Sequence, residues 1–193
     1  MKDDFGSVAE RRKVLKAVLG AGLGLSCLDI APGQEVDPRN SRPQPEDRLV
    51  FAFGERQGQA VGPEELVPGG PPVLAYPMDP ATGTPRDGSR LNQVLLIRLP
   101  SEELSEATRA LAANGIVAYS AVCTHTGCDV SEWRDETKTL VCSCHDSAFD
   151  SRDGARVLGG PARRRLAALP LKLVDGVLRV AGRFSGRLGG DQQ

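Results

Sequence analysis

Both histidines of this 193-residue chain, and four of its five cysteines, fall between Cys123 and His145. They sit in two short boxes, Cys123-Thr124-His125-Thr126-Gly127-Cys128 and Cys142-Ser143-Cys144-His145-Asp146-Ser147-Ala148-Phe149. Each box offers thiolates and an imidazole within a few residues, and such donors take up transition metals. A Cys-x-His pair and a Cys-x-x-His pair let two loops close over one inorganic group from opposite sides, each giving one sulfur and one nitrogen. That donor set suits a 2Fe-2S cluster in which two His replace two Cys on one iron. It also suits a tetrahedral zinc shell. Zinc knuckles favour paired Cys-x-x-Cys ends and would leave Cys128 and Cys144 without a role.

From about Gly115 to Ala181, including a third loop at Gly159-Gly160-Pro161, the chain resembles Rieske iron-sulfur proteins. The resemblance implies that Cys123 and Cys142 hold the inner iron, and that His125 and His145 hold the outer, more exposed one. It also implies a disulfide between Cys128 and Cys144 that ties the two cluster loops together. Oxygenase-type Rieske domains generally lack that disulfide. The Rieske proteins of cytochrome bc complexes and the small subunit of arsenite oxidase commonly have it, and it suits an oxidising compartment. Ser147 matches the family serine whose hydroxyl bonds a bridging sulfide, and Pro161 would rigidify the third loop. Phe149 stands where high-potential members place a tyrosine, so within the family range of about −150 to +300 mV the midpoint should lie below those of the tyrosine-bearing quinol-oxidising members. No residue is implied as catalytic. The expected activity is one-electron transfer, with electrons leaving through the exposed imidazoles and with proton uptake coupled to it at alkaline pH.

These loops need a frame. Short runs of β-type residues, separated by Gly and Pro, lie at Leu49 to Phe53, Val73 to Tyr76, Val94 to Leu99, Ile116 to Val122 and Leu140 to Cys142. A last pair, Leu171 to Val174 and Val177 to Ala181, flanks Asp175-Gly176, which tolerates the positive φ angles of a tight hairpin turn. The spacing predicts a mostly β, antiparallel domain with a smaller cluster-binding part at about 116–162 and one short helix. For that helix Ser101 is the expected cap, Leu104, Ala107 and Leu111 the buried stripe, and Asn114-Gly115 the stop.

Ahead of the frame, Arg11-Arg12 precedes an apolar, Gly-rich run from Ala17 to Leu28. The run is shorter than the ~20 residues a membrane helix needs. It reads as a twin-arginine export signal over residues 1–31, cleaved or kept as a short anchor, and export of that kind carries folded proteins to the periplasm. Cys27 is read as an inert thiol in that signal. Residues 32–47 carry Pro32, Pro38, Pro43 and Pro45 among polar residues and read as a tether. The Rieske domain is expected at 48–185 and a flexible tail at 186–193. A formal charge of −1 excludes the basic face of a nucleic-acid binder.

The expected role is therefore an electron-transfer subunit of an exported oxidoreductase complex rather than a catalyst alone. The nearest pattern is the small subunit of arsenite oxidase, whose larger subunit bears molybdopterin; the alternative is the Rieske subunit of a quinol-cytochrome c reductase beside cytochrome b. A c-type cytochrome or similar protein is the expected acceptor, and membrane contact is expected only through the N-terminal segment. Thr126, where quinol-oxidising proteins usually have leucine, favours the first pattern. A zinc-binding interaction module is the third reading.

Overall fold

The structure is a computed structural model that describes residues 37–191. The twin-arginine segment, Cys27, the first residues of the expected tether and Gln192-Gln193 lie outside the described residues. Six strands form one antiparallel sheet: β1 (Arg48–Phe51), β2 (Val73–Met78), β3 (Val94–Arg98), β4 (Ile116–Ser120), β9 (Leu171–Val174) and β10 (Val177–Val180). Their order across the sheet is β4-β3-β2-β1-β10-β9. Residues 167–169, which lead into β9, bond back to β4 through Ser120 N to Ala167 O (2.8 Å) and Leu169 N to Ala118 O (2.9 Å). The two edges of the sheet are thereby joined through the chain, which hides backbone groups that an open edge would expose. Between β4 and β9 in the chain lies a second antiparallel sheet of β5 (Glu132–Arg134), β6 (Thr139–Cys142), β7 (Ser147–Asp150) and β8 (Arg156–Gly159), in sequential order. This is the mostly β, antiparallel architecture expected from the sequence, with a smaller sheet carrying the Cys/His boxes.

Strands β3 and β4 are buried on both faces, and the two-residue side-chain period divides them between two cores. Val94, Leu96, Ile116 and Ala118 face one core with Leu49, Ala75, Leu169, Leu178 and Val180. Leu95, Ile97, Val117 and Tyr119 face the other, with Leu140, Phe149 and Leu166. Each fully buried Leu or Phe contributes about 1.5–3 kcal/mol of transfer free energy, so the second core fixes the small sheet onto the large one. The Asp175-Gly176 turn closes the β9–β10 hairpin with φ of 51° and 77°, the geometry anticipated for it.

Three expectations differ from the structure. The helix starting at Ser101 is broken. Ser101–Glu103 is a single 3-10 turn, Leu104 is extended (φ −78°, ψ 135°), and a short helix α1 (Glu106–Arg109) starts afresh at Ser105, whose hydroxyl caps Thr108 N. Leu104 leaves the helix because its side chain is buried in the second core. Thr108, not Ala107, is the buried residue of α1. Residues 37–47, expected as tether, are packed against the domain: Asp47 is buried and pairs with Arg86 (2.6 and 2.8 Å). Residues 187–191, expected as flexible tail, bury Gly189 and Gly190. Among the described residues no helix is long and apolar enough to cross a membrane.

Candidate metal centre

Cys123 follows β4 in the same alternation as Tyr119 and Ala121, so its side chain enters the second core. The chain then turns back on itself. Val122 pairs with Asp129 across an antiparallel bridge, Cys123 N bonds Cys128 O (2.8 Å), and Gly127 N bonds Cys123 O (3.1 Å) with Gly127 at φ 83°. That closed loop leaves His125 and Cys128 half-buried, Cys128 at the margin of the second core.

The second box is a β-hairpin. Cys142 on β6 pairs with Ser147 on β7, leaving Ser143 to Asp146 as the connection, with Asp146 at φ 57°. Along β6 Leu140 and Cys142 share the core-facing side, so Cys142 is buried while Cys144 and His145 stand at the exposed tip. The third loop closes over this hairpin. A Cβ at Gly160 (φ +80°) would lie 2.5 Å from Ser147 Cα and 2.6 Å from Asp146 O, so only glycine allows that approach. Ser147 is fully buried, and its hydroxyl oxygen accepts from Ala162 N (3.2 Å). The hydroxyl proton remains free for a second partner.

The two loops meet tip to tip. Cys128 and Cys144 form a disulfide with a Cα–Cα distance of 6.5 Å. The His125 and His145 rings stand edge to face with centroids 4.7 Å apart. Cys123 and Cys142 are buried free thiols. Burial pushes the Cys142 thiol up to about 11; backbone N–H groups of Cys144 and His145 aimed at the sulfur oppose this, and the neighbouring Cys123 adds to it. The Cys142 sulfur also lies within 4.8 Å of both disulfide sulfurs. Since those two are bonded to each other, the three do not make a thiolate site.

One atom tests the fit to a metal group. His125 Nδ1 is buried and has no hydrogen-bond partner, and a buried polar atom left unpaired costs about 1–3 kcal/mol. A metal-nitrogen bond at that atom would satisfy it, and the same two loops carry two buried free thiols and a second imidazole whose ring centroid lies 4.7 Å from that of His125. The donor chemistry of Cys123, Cys142, His125 and His145 therefore fits a 2Fe-2S group held from two sides.

Of the other residues read as tuning the site, Phe149 is fully buried in the core shared by Cys123 and Cys142. Pro161 is exposed on the third loop. Residues not anticipated as part of the site are Thr124, whose hydroxyl donates to Arg164 O (2.5 Å), and Asp191, whose N–H reaches Thr124 O and His125 O (3.2 and 3.1 Å). Nothing in the composition around Gly189-Gly190 signals such a contact.

Residues 84–170 match the family model of the Rieske [2Fe-2S] domain, so the similarity begins earlier than Gly115. A Haloferax mediterranei protein named as a respiratory nitrate reductase Rieske subunit is 43% identical over 107 residues, covering 54% of this chain and 48% of that protein. The cytochrome bc1 complex Rieske iron-sulfur subunit of Streptomyces lividans is 39% identical over 98 residues, covering 50% of this chain and 58% of that one. The chain thus spans about half the length of these relatives. Among solved structures, the soluble domain of Rieske protein II from Sulfolobus acidocaldarius has 22% identity and a TM-score of 0.37, covering 50% of this chain and 68% of that chain.

Proposed function

We propose, on the premise that residues 84–170 are a Rieske [2Fe-2S] domain and bind a 2Fe-2S cluster, that the chain is an electron-transfer subunit of a larger oxidoreductase. The observation that carries this reading is the pairing of two buried thiols with two facing imidazoles at a disulfide-joined tip. When bound, the cluster supplies a site that accepts and returns one electron.

The chain's own residues do the rest. Cys123 and Cys142 anchor the buried side and keep water from it. His125 and His145 hold the outer side, and exposed His145 offers its far nitrogen to a partner. The Ser147 hydroxyl, fixed by Ala162 N, has a proton to give to cluster sulfur, and a hydrogen bond of that kind favours the reduced, more negative state. Phe149 gives none, which keeps the midpoint below that of tyrosine-bearing relatives. The Cys128–Cys144 disulfide holds the loops at fixed separation.

The partner we favour is an exported oxidoreductase of the arsenite-oxidase type, with a molybdopterin-bearing larger subunit and a c-type cytochrome or similar acceptor. Half-buried, polar Thr126 beside His125 supports it, since a quinol pocket is better met by an apolar tip. The second reading, a subunit beside cytochrome b in a quinol-cytochrome c reductase, is supported by the name of the Streptomyces relative. Arg11-Arg12 and the disulfide support export by the twin-arginine route to the periplasm.

The test is an EPR-monitored redox titration at neutral and alkaline pH, on wild type, His145→Ala and Phe149→Tyr. Wild type should give a two-histidine 2Fe-2S signal with a midpoint that falls at alkaline pH. His145→Ala should abolish or alter that signal, and Phe149→Tyr should raise the midpoint. A colourless protein holding zinc would overturn the reading. An unmoved midpoint in Phe149→Tyr would remove the tuning role.

A further inference from the structure

We infer that residues 187–191 are a strap that positions the first cluster-binding loop, with Arg164 and Asp191 as its locking residues. The inference rests on the reading of His125 as a cluster ligand. Its observations lie in the backbone. The Asp191 N–H is shared between the carbonyls of Thr124 (3.2 Å) and His125 (3.1 Å), the two peptide units that set the direction of the His125 side chain.

Arg164 ties the strap down from the third-loop side. Its Nε donates to Asp191 Oδ1 (2.6 Å), Nη1 to Arg187 O (3.0 Å) and Nη2 to Gly189 O (3.0 Å). Its own carbonyl accepts from the Thr124 hydroxyl (2.5 Å). One residue therefore holds both the strap and the loop beneath it. A guanidinium presents its donors in a rigid fork, whereas a lysine ammonium at that position would be a single point of contact.

The fit leaves no slack. A Cβ on Gly190 would come within 2.7 Å of both Gly127 N and Thr126 C and within 2.9 Å of Thr126 Cα. Those neighbours are backbone atoms, which cannot rotate aside. Gly190 is thus a close-approach glycine, chosen for the absence of a side chain and not for flexibility. The loop's other backbone restraints, the Val122–Asp129 bridge, the Cys123 to Cys128 and Gly127 to Cys123 hydrogen bonds and the disulfide, bond neither carbonyl that flanks His125. The strap bonds its middle, where His125 is. Ligands displaced by a fraction of an ångström lose function, so Arg164 and Asp191 are positioning residues for His125.

The experiment compares wild type with Gly190→Ala, Arg164→Ala, Arg164→Lys and, as control, Arg163→Ala. Arg163 is the exposed neighbour that makes none of these bonds. Three readouts are taken: hydrogen exchange of the peptide covering 123–128, the EPR signal and midpoint of the loaded protein, and the rate at which a chelator strips iron. Gly190→Ala and Arg164→Ala should lose exchange protection in the loop and broaden the EPR signal. Their midpoint should shift upward, because water admitted beside the site favours the more negative reduced state. They should release iron roughly fivefold faster, the change that about 1 kcal/mol makes in a rate. Arg164→Lys should not restore wild-type behaviour, and Arg163→Ala should match wild type. If wild type shows the two-histidine signal and Gly190→Ala leaves all three readouts unchanged, the strap inference falls while the functional reading stands. If wild type shows no such signal, the functional reading falls, and unchanged loop exchange in Gly190→Ala would remove the strap as well.

Discussion

Tyr119 lies on the face of β4 that leads to Cys123, almost fully buried, with its hydroxyl donating to Ser151 O (2.8 Å). Burial raises its phenol well above the ordinary tyrosine range, and burial also raises Tyr76. A folded-state value above the unfolded one, near 10, means a contribution to stability that is full below about pH 10 and is lost as pH rises further. We therefore expect an ultraviolet titration of the chain, which has two tyrosines, to show at most one tyrosinate, that of half-buried Tyr76, from the folded protein near pH 10, where free tyrosine is half ionised. The Tyr119 tyrosinate should appear only as the protein unfolds, and the urea midpoint should decline over the same range. Tyr119→Phe should flatten most of that decline and cost about 1 kcal/mol at neutral pH. Both tyrosines ionising near pH 10 in the folded protein would contradict the packing around Tyr119. At this scale the sequence was informative where chemistry picks the residue. His125, His145 and four cysteines stood out because metal donors are scarce and were clustered. Thr124 and Asp191 did not, because their part in the site is played by a hydroxyl and a backbone N–H that any loop contains.

The two boxes become a site through the elements that carry them, a bridged loop after β4 and the β6–β7 hairpin, joined by a disulfide across 16 residues. Closing a loop of that length is worth about 3 kcal/mol in the chain-entropy account. Replacing Cys128 and Cys144 together by Ser should lower unfolding stability by up to that amount, as read by urea melts of the metal-free protein. The donors Cys123, His125, Cys142 and His145 should remain in place, because β6–β7 pairing and the Val122–Asp129 bridge hold both loops without the disulfide. An unchanged melt would mean that the disulfide is idle. The strands legible in the sequence were those with continuous apolar runs. β5, β7 and β8 were not. β5 and β8 alternate exposed and half-buried residues, and β7 runs from within the second box to Asp150, with Ser147 and Asp150 as buried polar residues. Their pairing is dictated by the hairpins around them. The helix reading failed for a related reason. The composition of Ser101-Glu102-Glu103 suits a first turn, but burying Leu104 outweighs continuing the helix, whose propensity per residue is below about 1 kcal/mol.

For the molecule as a whole, proline and polar content misled at 37–47 because it speaks for isolated chain and not for what an ion pair can hold. Arg86 meets Asp47 with two hydrogen bonds (2.6 and 2.8 Å) and also bonds Ser41, while Asn92 donates to Ser41 O and Arg86 O (2.9 Å each). Asp47 and Arg86 are both buried. The lead-in chain is thereby fixed to the loop between β2 and β3. Removing one member of a buried pair strands the other, at about 3–5 kcal/mol, whereas removing both leaves no unpaired charge. Asp47→Ala should therefore lower the urea midpoint strongly and open trypsin cleavage after Arg39, the Arg42–Pro43 bond being resistant to trypsin in either state. Asp47→Ala combined with Arg86→Met should recover part of that loss. If the double variant were as unstable as the sum of the two singles, the pair would be acting through separate contacts, and the lead-in would owe its order to Pro38, Ser41 and Asn92 instead.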